Sequence, residues 1–396
     1  STWSVKFKKR EANSSALIID IESEQQKITI ENILIGDVWL CIGQSNMEWP
    51  MEKEQHFKEI KNPRDSLLRI YNPTYGGKFI YNNKFIDSVQ ERLNSNSFFK
   101  GRWAVSDENS IKQMSAVGYY FGKKIINKVR VPIGLVNMAI GGAPIETFIR
   151  RKSLIDDSMF FNKIIGNWLN NSYLPNWIRE RGEQNVGGLD VIYKDDLGPN
   201  HAFKPGFVYS AGIKELHKIS IKGILWYQGE SNAQELERVA EYSRLQKLLV
   251  NDYRKQWKQS KMPFYWVQLS SIDSIHYNSK NWPLFRNVQR ELLNEIPYGG
   301  MVVTSDIGSV NDVHPKNKRD VGYRLARWAL FETYKQIVIP SGPLPKNVYN
   351  KNGKIIIEFD YIGNGLKTFD DKLIRGFSFD GKHMVSVYIK NETIVY

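Results

Sequence analysis

One cysteine in 396 residues, Cys41, leaves the chain without an internal disulfide partner. A disulfide-stapled scaffold is thereby excluded, while the redox compartment stays open. Apolar runs are short as well: none approaches the roughly 18–20 residues that carry a helix across a bilayer. Neither a His-Glu-x-x-His nor a Cys-x-x-Cys spacing occurs, so no metal site is written in the sequence. Acidic residues are outnumbered, 42 against 55 basic ones, for a net charge of +13. Yet the basic residues are scattered, and clusters such as Lys8-Lys9-Arg10 and Lys123-Lys124 read as solvated faces. Without a basic stripe, a nucleic-acid partner is not expected. Internal repeats and low-complexity tracts are missing too.

With 41% hydrophobic and 13% aromatic residues, the chain can bury a substantial core and is not disordered. Its start at Ser1 rather than methionine is expected of a processed or trimmed chain, in which any secretion signal would already be missing. Residues 1–35 alternate and break often, as at Leu17-Ile18-Ile19, Ile28 and Ile30; they are expected to form a partial β-rich segment. Over residues 36–338, expected strands at 37–42, 67–71, 133–139, 221–227, 264–269 and 300–304 alternate with helices. The helices are expected at 110–128, with Ser110 and Gln113 as a capping box, at 234–257 and at 316–335. Such alternation implies an α/β fold with a parallel sheet covered on both faces. Residues 151–205 lack periodicity. They read as an insertion, either a lid or substrate wall or an excursion with its own small core. Residues 339–396 turn β-like again at 354–359, 376–379 and 385–389 and are expected to form a small β appendage. Cys41 reads as a small buried hydrophobe. The lone sequon Asn391-Glu392-Thr393 is too common a triplet to inform.

Chemistry concentrates in two places. The stretch GQSNMEWP (43–50) follows the apolar run Val38-Trp39-Leu40-Cys41-Ile42. It delivers Ser45 at the carboxyl end of a strand, where open α/β sheets bind ligands. Alone, such a serine would read as a helix N-cap. A serine hydroxyl becomes a nucleophile only beside a base, and acyl transfer usually adds a third group that orients the base. Near the other end of the chain, Asn311-Asp312-Val313-His314-Pro315 offers both residue types. Pro315 disfavours helical geometry at His314 and keeps it in a loop.

Four blocks, GQSNMEWP (43–50), AIGGAPIE (139–146), WYQGESNA (226–233) and DVHPKNK (312–318), follow in this order, each at a strand end. Together they resemble the signature blocks of the sialate O-acetylesterases. That family belongs to the SGNH hydrolases and is related to the acetyl xylan esterases of carbohydrate esterase family six. The resemblance covers about residues 36–335. It implies a three-layer α/β/α SGNH-hydrolase fold with small β-rich N- and C-terminal appendages. It also implies a serine esterase that removes O-acetyl groups from sialic acid, with Ser45 as nucleophile and His314 as base and later acid.

Asp312 is the expected orienting group, although SGNH hydrolases commonly place an aspartate three residues before the histidine, where this chain has Asn311. An alternation of two can turn Asp312 away, leaving Asn311 or a backbone carbonyl to orient the ring of a Ser-His dyad. The oxyanion donors are expected to be the backbone N–H of Ser45, the backbone of Gly141 or Gly142, and the side chain of Asn232 or Gln228. No cofactor or metal is required. The expected partner is an O-acetylated sugar, the oligomeric state is open, and glycan scavenging suggests a periplasmic or extracellular address. The net positive charge is compatible with an acidic sugar.

Rival readings are an esterase acting on acetylated xylan or another polysaccharide, and a non-catalytic carbohydrate-binding protein. Glu48 and Glu230 raise a glycosidase pair, which would leave Ser45 and His314 unexplained. They are expected instead to hold loops by accepting backbone hydrogen bonds. Trp49, Trp103, Trp226 and Tyr227 are candidates to stack on a sugar, and Arg150 and Arg286 to clamp a carboxylate.

Overall fold

The computed structural model describes residues 5–395 except 6, 9, 274, 276, 369, 391 and 392. Asn391 and Glu392 of the sequon therefore lie outside the described residues. By packing, the chain divides into two units, Ser1–Ala326 and Arg327–Tyr396. The first opens with an antiparallel hairpin, β1 (Asn13–Glu22) and β2 (Lys27–Ile35). Seven strands follow: β3 (Asp37–Gly43), β4 (Asp65–Tyr71), β5 (Trp103–Ser106), β6 (Ile133–Asn137), β7 (Gly223–Tyr227), β8 (Phe264–Val267) and β9 (Gly299–Val302). They form one sheet in the order β9-β8-β7-β3-β6-β4-β5. Every neighbour is parallel except β5, which closes the edge antiparallel to β4.

Seven helices matter to the argument: α1 (Ser45–Glu48), α2 (Glu108–Lys112), α3 (Ala116–Val129), α4 (Asn176–Val186), α5 (Leu236–Gln256), α6 (Trp282–Glu295) and α7 (Arg319–Trp328). The central strand shows why helices must cover both faces. Trp39, Leu40, Cys41 and Ile42 are all wholly buried, as a strand sandwiched between layers requires. Trp39 meets Phe121 of α3 edge-on at 4.9 Å. Trp226, in register with Ile42 on the opposite face, donates its Nε1–H to Tyr242 of α5 at 3.2 Å. Trp266 donates to the Gln289 carbonyl of α6 at 3.1 Å. The sheet is thus the middle of three layers. Burial pushes the Cys41 thiol up to about 12, so this residue stays protonated and unreactive.

The single helix expected at 110–128 is in fact two. Asp107, not Ser110, is the first cap: its side chain accepts the N–H groups of Asn109 and Ser110, while the Ser110 hydroxyl accepts the Asp107 N–H. Ser115 then caps α3 by accepting the Gly118 N–H at 3.1 Å, a second N-terminus within the same apolar periodicity.

The direction of strand addition reverses at β3, whose neighbours β6 and β7 lie on opposite sides. A crevice opens at such a point, outside the carboxyl ends of the strands. Residues 151–205 contain α4 and a short hairpin of Lys194–Asp195 with Gly198–Pro199. They bury Trp168, Leu174, Ile178 and Val186, and Trp168 stacks on the buried His201 at 5.5 Å. The second unit holds an antiparallel sheet of β10 (Leu344–Lys351), β11 (Lys354–Asp360), β12 (Tyr388–Lys390) and β13 (Thr393–Val395), ordered β10-β11-β13-β12. The strand expected at 376–379 is absent there; Ser378 makes only an isolated bridge to Met384. Among the described residues, no helix is long and apolar enough to cross a membrane.

Candidate active site

β3 ends at Gly43, whose φ of +135° suits glycine and whose Cβ, if present, would lie 2.1 Å from the Tyr227 carbonyl oxygen. That close approach carries the chain directly into α1, with Ser45 as its first residue. His314 arrives from the loop after β9. Its Nε2 lies 2.7 Å from Ser45 Oγ, the geometry of a hydroxyl donating to a neutral imidazole. Burial holds His314 down to about 4; the Lys318 ammonium pushes the same way, and Asp312 opposes them. At neutral pH the ring is therefore free to accept a proton.

Asp312 does not hold the imidazole. Its Oδ1 accepts the backbone N–H of His314 at 2.8 Å and stands 3.9 Å from Nδ1, beyond a hydrogen bond. The spacing of two turns the carboxylate to the backbone. Trp49 lies against the other part of the ring, stacked at 5.4 Å and 22°. Asn46, which the sequence reading passed over, fixes the loop: its Nδ2 donates to Glu230 Oε1 and, at 2.9 Å, to the Val313 carbonyl. Its Oδ1 accepts from Lys318 Nζ. Lys318 is fully buried and held down to about 7 by that burial, against the pull of Glu230, Asp312 and Glu54. Both residues sit inside the recognised blocks, flanking the serine and following the histidine, so the signal for them was adjacency.

The expected oxyanion donors divide. Gly141 N–H is taken by Glu48 Oε2 at 2.6 Å, so it does not face the serine. Gln228 and Asn232 are wholly buried and occupied with one another. Gln228 Nε2 donates to Asn232 Oδ1 at 2.7 Å, and Asn232 Nδ2 donates to Glu146 Oε2 at 3.0 Å. These amides brace the loop after β7 instead of pointing at the serine. The N–H groups of Ser45 and Gly142 have no acceptor among the described residues. Gly142 holds φ +77°, and a Cβ there would come within 2.7 Å of Trp177. A cavity-lining side chain absent from the expectations is Gln44. Its Oε1 accepts the N–H groups of Gly229 and Ser231 at 3.3 and 3.2 Å. Both partners are backbone donors, so the oxygen must face them. The NH2 group points the other way, in a residue that lines the cavity.

Glu48 accepts a backbone N–H as expected, and Glu230 accepts from the Asn46 side chain beside backbone N–H groups of its own loop. Ser45, His314, Gly141 and Gly142 open onto one cavity of about 360 Å³. Its aromatic wall comes from Trp177, Phe203, Tyr81 and Tyr277. Of the aromatics expected there, Trp226 and Tyr227 are buried in the sheet, Trp49 backs the histidine, and Trp103 lies at the sheet edge. Arg150 is paired with Asp252 at 2.9 Å and Arg286 does not line the cavity; Arg181 of α4 does. Among the described residues no group of three or more His, Cys, Asp or Glu side chains is arranged to hold a metal.

Residues 200–330 match the family model described as carbohydrate esterase, sialic acid-specific acetylesterase. The sialate O-acetylesterase of Mus musculus is 26% identical over 367 residues, covering 84% of this chain and 63% of that protein. The corresponding protein of Rattus norvegicus is 26% identical over 364 residues, covering 83% and 62%. The chain thus spans less than two thirds of these relatives' length. Among solved structures, a carbohydrate acetylesterase from Xanthomonas citri superposes with a TM-score of 0.75 at 25% identity, over 99% of this chain and 79% of that one. In sequence this chain resembles the sialate O-acetylesterases, and in fold it resembles a carbohydrate acetylesterase.

Proposed function

We propose that the chain is a serine esterase of SGNH type that removes O-acetyl groups from sialic acid. The observation that carries the reading is the 2.7 Å contact between Ser45 Oγ and His314 Nε2, both of which line the cavity of about 360 Å³. Ser45 Oγ attacks the acetyl carbonyl as His314 takes its proton. The oxyanion is met by the N–H groups of Ser45 and Gly142, with the Gln44 amide as third donor. Collapse breaks the bond to the sugar oxygen, which receives the proton from His314. Water activated by the same ring then hydrolyses the acetyl-Ser45 ester. Asp312 assists through its charge rather than through a bond to the ring, so the working pair is a dyad.

The similarity to the sialate O-acetylesterases of mouse and rat supports the sialic substrate. The similarity to the Xanthomonas citri carbohydrate acetylesterase supports an acetylated carbohydrate without naming the sugar, and the rival substrate is a neutral acetylated polysaccharide such as xylan. Acetate release from 9-O-acetylated sialic acid and from acetylated xylan, measured in parallel, decides between them. Labelling by a serine-reactive phosphonate should vanish in Ser45→Ala. Persistent labelling or turnover in that variant would remove the nucleophile from this reading.

A further inference from the structure

We infer that Arg181 is a carboxylate-binding residue that makes the cavity selective for acetylated sugar acids over neutral acetylated sugars. The inference rests on the esterase reading above and adds to it the means of recognition. Arg181 lies on α4, one turn beyond Trp177, and residues four apart on a helix share a face. Trp177 Nε1 donates to the Ser231 carbonyl at 3.2 Å, which pins that face against the loop after β7. Trp177 and Arg181 both line the cavity that holds Ser45 and His314.

Charge makes Arg181 distinctive. Among the described residues lining the cavity there is no carboxylate, and Arg181 is the one permanently charged side chain. Some arginines elsewhere are paired with carboxylates, Arg150 with Asp252, Arg244 with Asp157 and Arg324 with Asp306, and others, such as Arg92 and Arg254, are taken up by backbone carbonyls; none of these lines the cavity. For Arg181 no carboxylate partner is found among the described residues. The guanidinium lies over the Tyr81 ring at 5.2 Å, and one terminal nitrogen donates to Asn82 Oδ1 at 3.1 Å. These two contacts fix the plane of the fork and leave further N–H bonds for a ligand. A planar fork held in a cavity without competing anions matches a carboxylate bidentately. The aromatic side chains beside it supply apolar faces for a ring.

The experiment compares 9-O-acetylated sialic acid with its carboxylate methyl ester, in which the acetyl group is unchanged and the charge is gone. The full chain, Arg181→Gln and Arg181→Lys are each assayed for kcat/KM on both. The ratio within one protein cancels any partial loss of folded enzyme. The unsubstituted chain should prefer the free acid by roughly ten- to a hundredfold, mainly through KM. The preference should collapse toward one in Arg181→Gln. It should be intermediate in Arg181→Lys, which keeps the charge and loses the fork. An acid-to-ester ratio near one in the unsubstituted chain, or a ratio unchanged in Arg181→Gln, overturns the proposal. Hydrolysis of 4-nitrophenyl acetate separates the two levels: Ser45-dependent hydrolysis with no acid preference sinks Arg181 alone. Hydrolysis that survives Ser45→Ala sinks the esterase reading and this inference with it.

Discussion

Replacing Asp312 with asparagine separates a triad from a dyad. The change removes one negative charge 3.9 Å from His314 Nδ1. It leaves an oxygen in place to accept the His314 backbone N–H now bonded at 2.8 Å. Unit charges at that separation attract by about 1 kcal/mol in bulk water and about 4 kcal/mol near a protein surface. The Asp312 side chain is 45% exposed and that of His314 31%, so solvent screening favours the lower figure. The imidazolium formed as Ser45 attacks should lose about 1–1.5 kcal/mol of stabilisation, and kcat/KM should fall about tenfold. Acetate release followed across pH tests the same electrostatics. His314 held at about 4 stays a base below the ordinary histidine range, so the acid limb of the unsubstituted chain should lie near pH 4. Asp312 raises that value, so Asp312→Asn should move the limb lower still. A loss of about a thousandfold or more would refute the dyad, because the carboxylate would then be fixing the tautomer during turnover. An acid limb at the ordinary histidine value would refute the burial argument.

Gln44→Glu keeps an oxygen toward the Gly229 and Ser231 N–H groups and replaces the NH2 group with a second oxygen. It should lower kcat by roughly a hundredfold or more with little change in KM; an unaffected kcat would show that the amide does not meet the oxyanion. His201 is buried, accepts the Phe203 N–H on Nδ1 and is held down to about 3 by desolvation. Between that value and the ordinary histidine range, the unfolded ring binds a proton that the folded ring refuses. Stability should therefore fall by about 1.4 kcal/mol for each pH unit of acidification through this window. His201→Gln should flatten that part of the profile in urea titrations, and an unchanged slope would contradict it.

Ser45, His314 and the sheet strands were legible because each depends on local pattern: an apolar run followed by a small-residue turn, or a histidine before proline. The break between α2 and α3 was not, because Ser110 and Ser115 both suit a cap. Only the placement of Asp107 reveals that Ser110 occupies the third helical position. The oxyanion amides misled for a related reason. Sequence places Gln228, Asn232 and Gln44 near the site, but the direction of each carboxamide follows from partners remote in the chain, such as Tyr242 for Gln228. Arg181 was invisible because α4 reaches the cavity through tertiary packing, while the arginines nearer the blocks already have carboxylates or lie elsewhere.

The two neighbours of Ser45 are cross-links. Gln44 grips the 229–231 loop and Asn46 grips Val313, the residue before His314. A Gln-Ser-Asn triplet transplanted alone onto another strand end would bring the hydroxyl without its surroundings. The portable unit is the triplet together with the segments 228–232 and 311–318, three pieces far apart in sequence that would have to be moved as one part. Swapping Ser45 between scaffolds is therefore a problem of loop registration, with the serine itself the easiest component to supply.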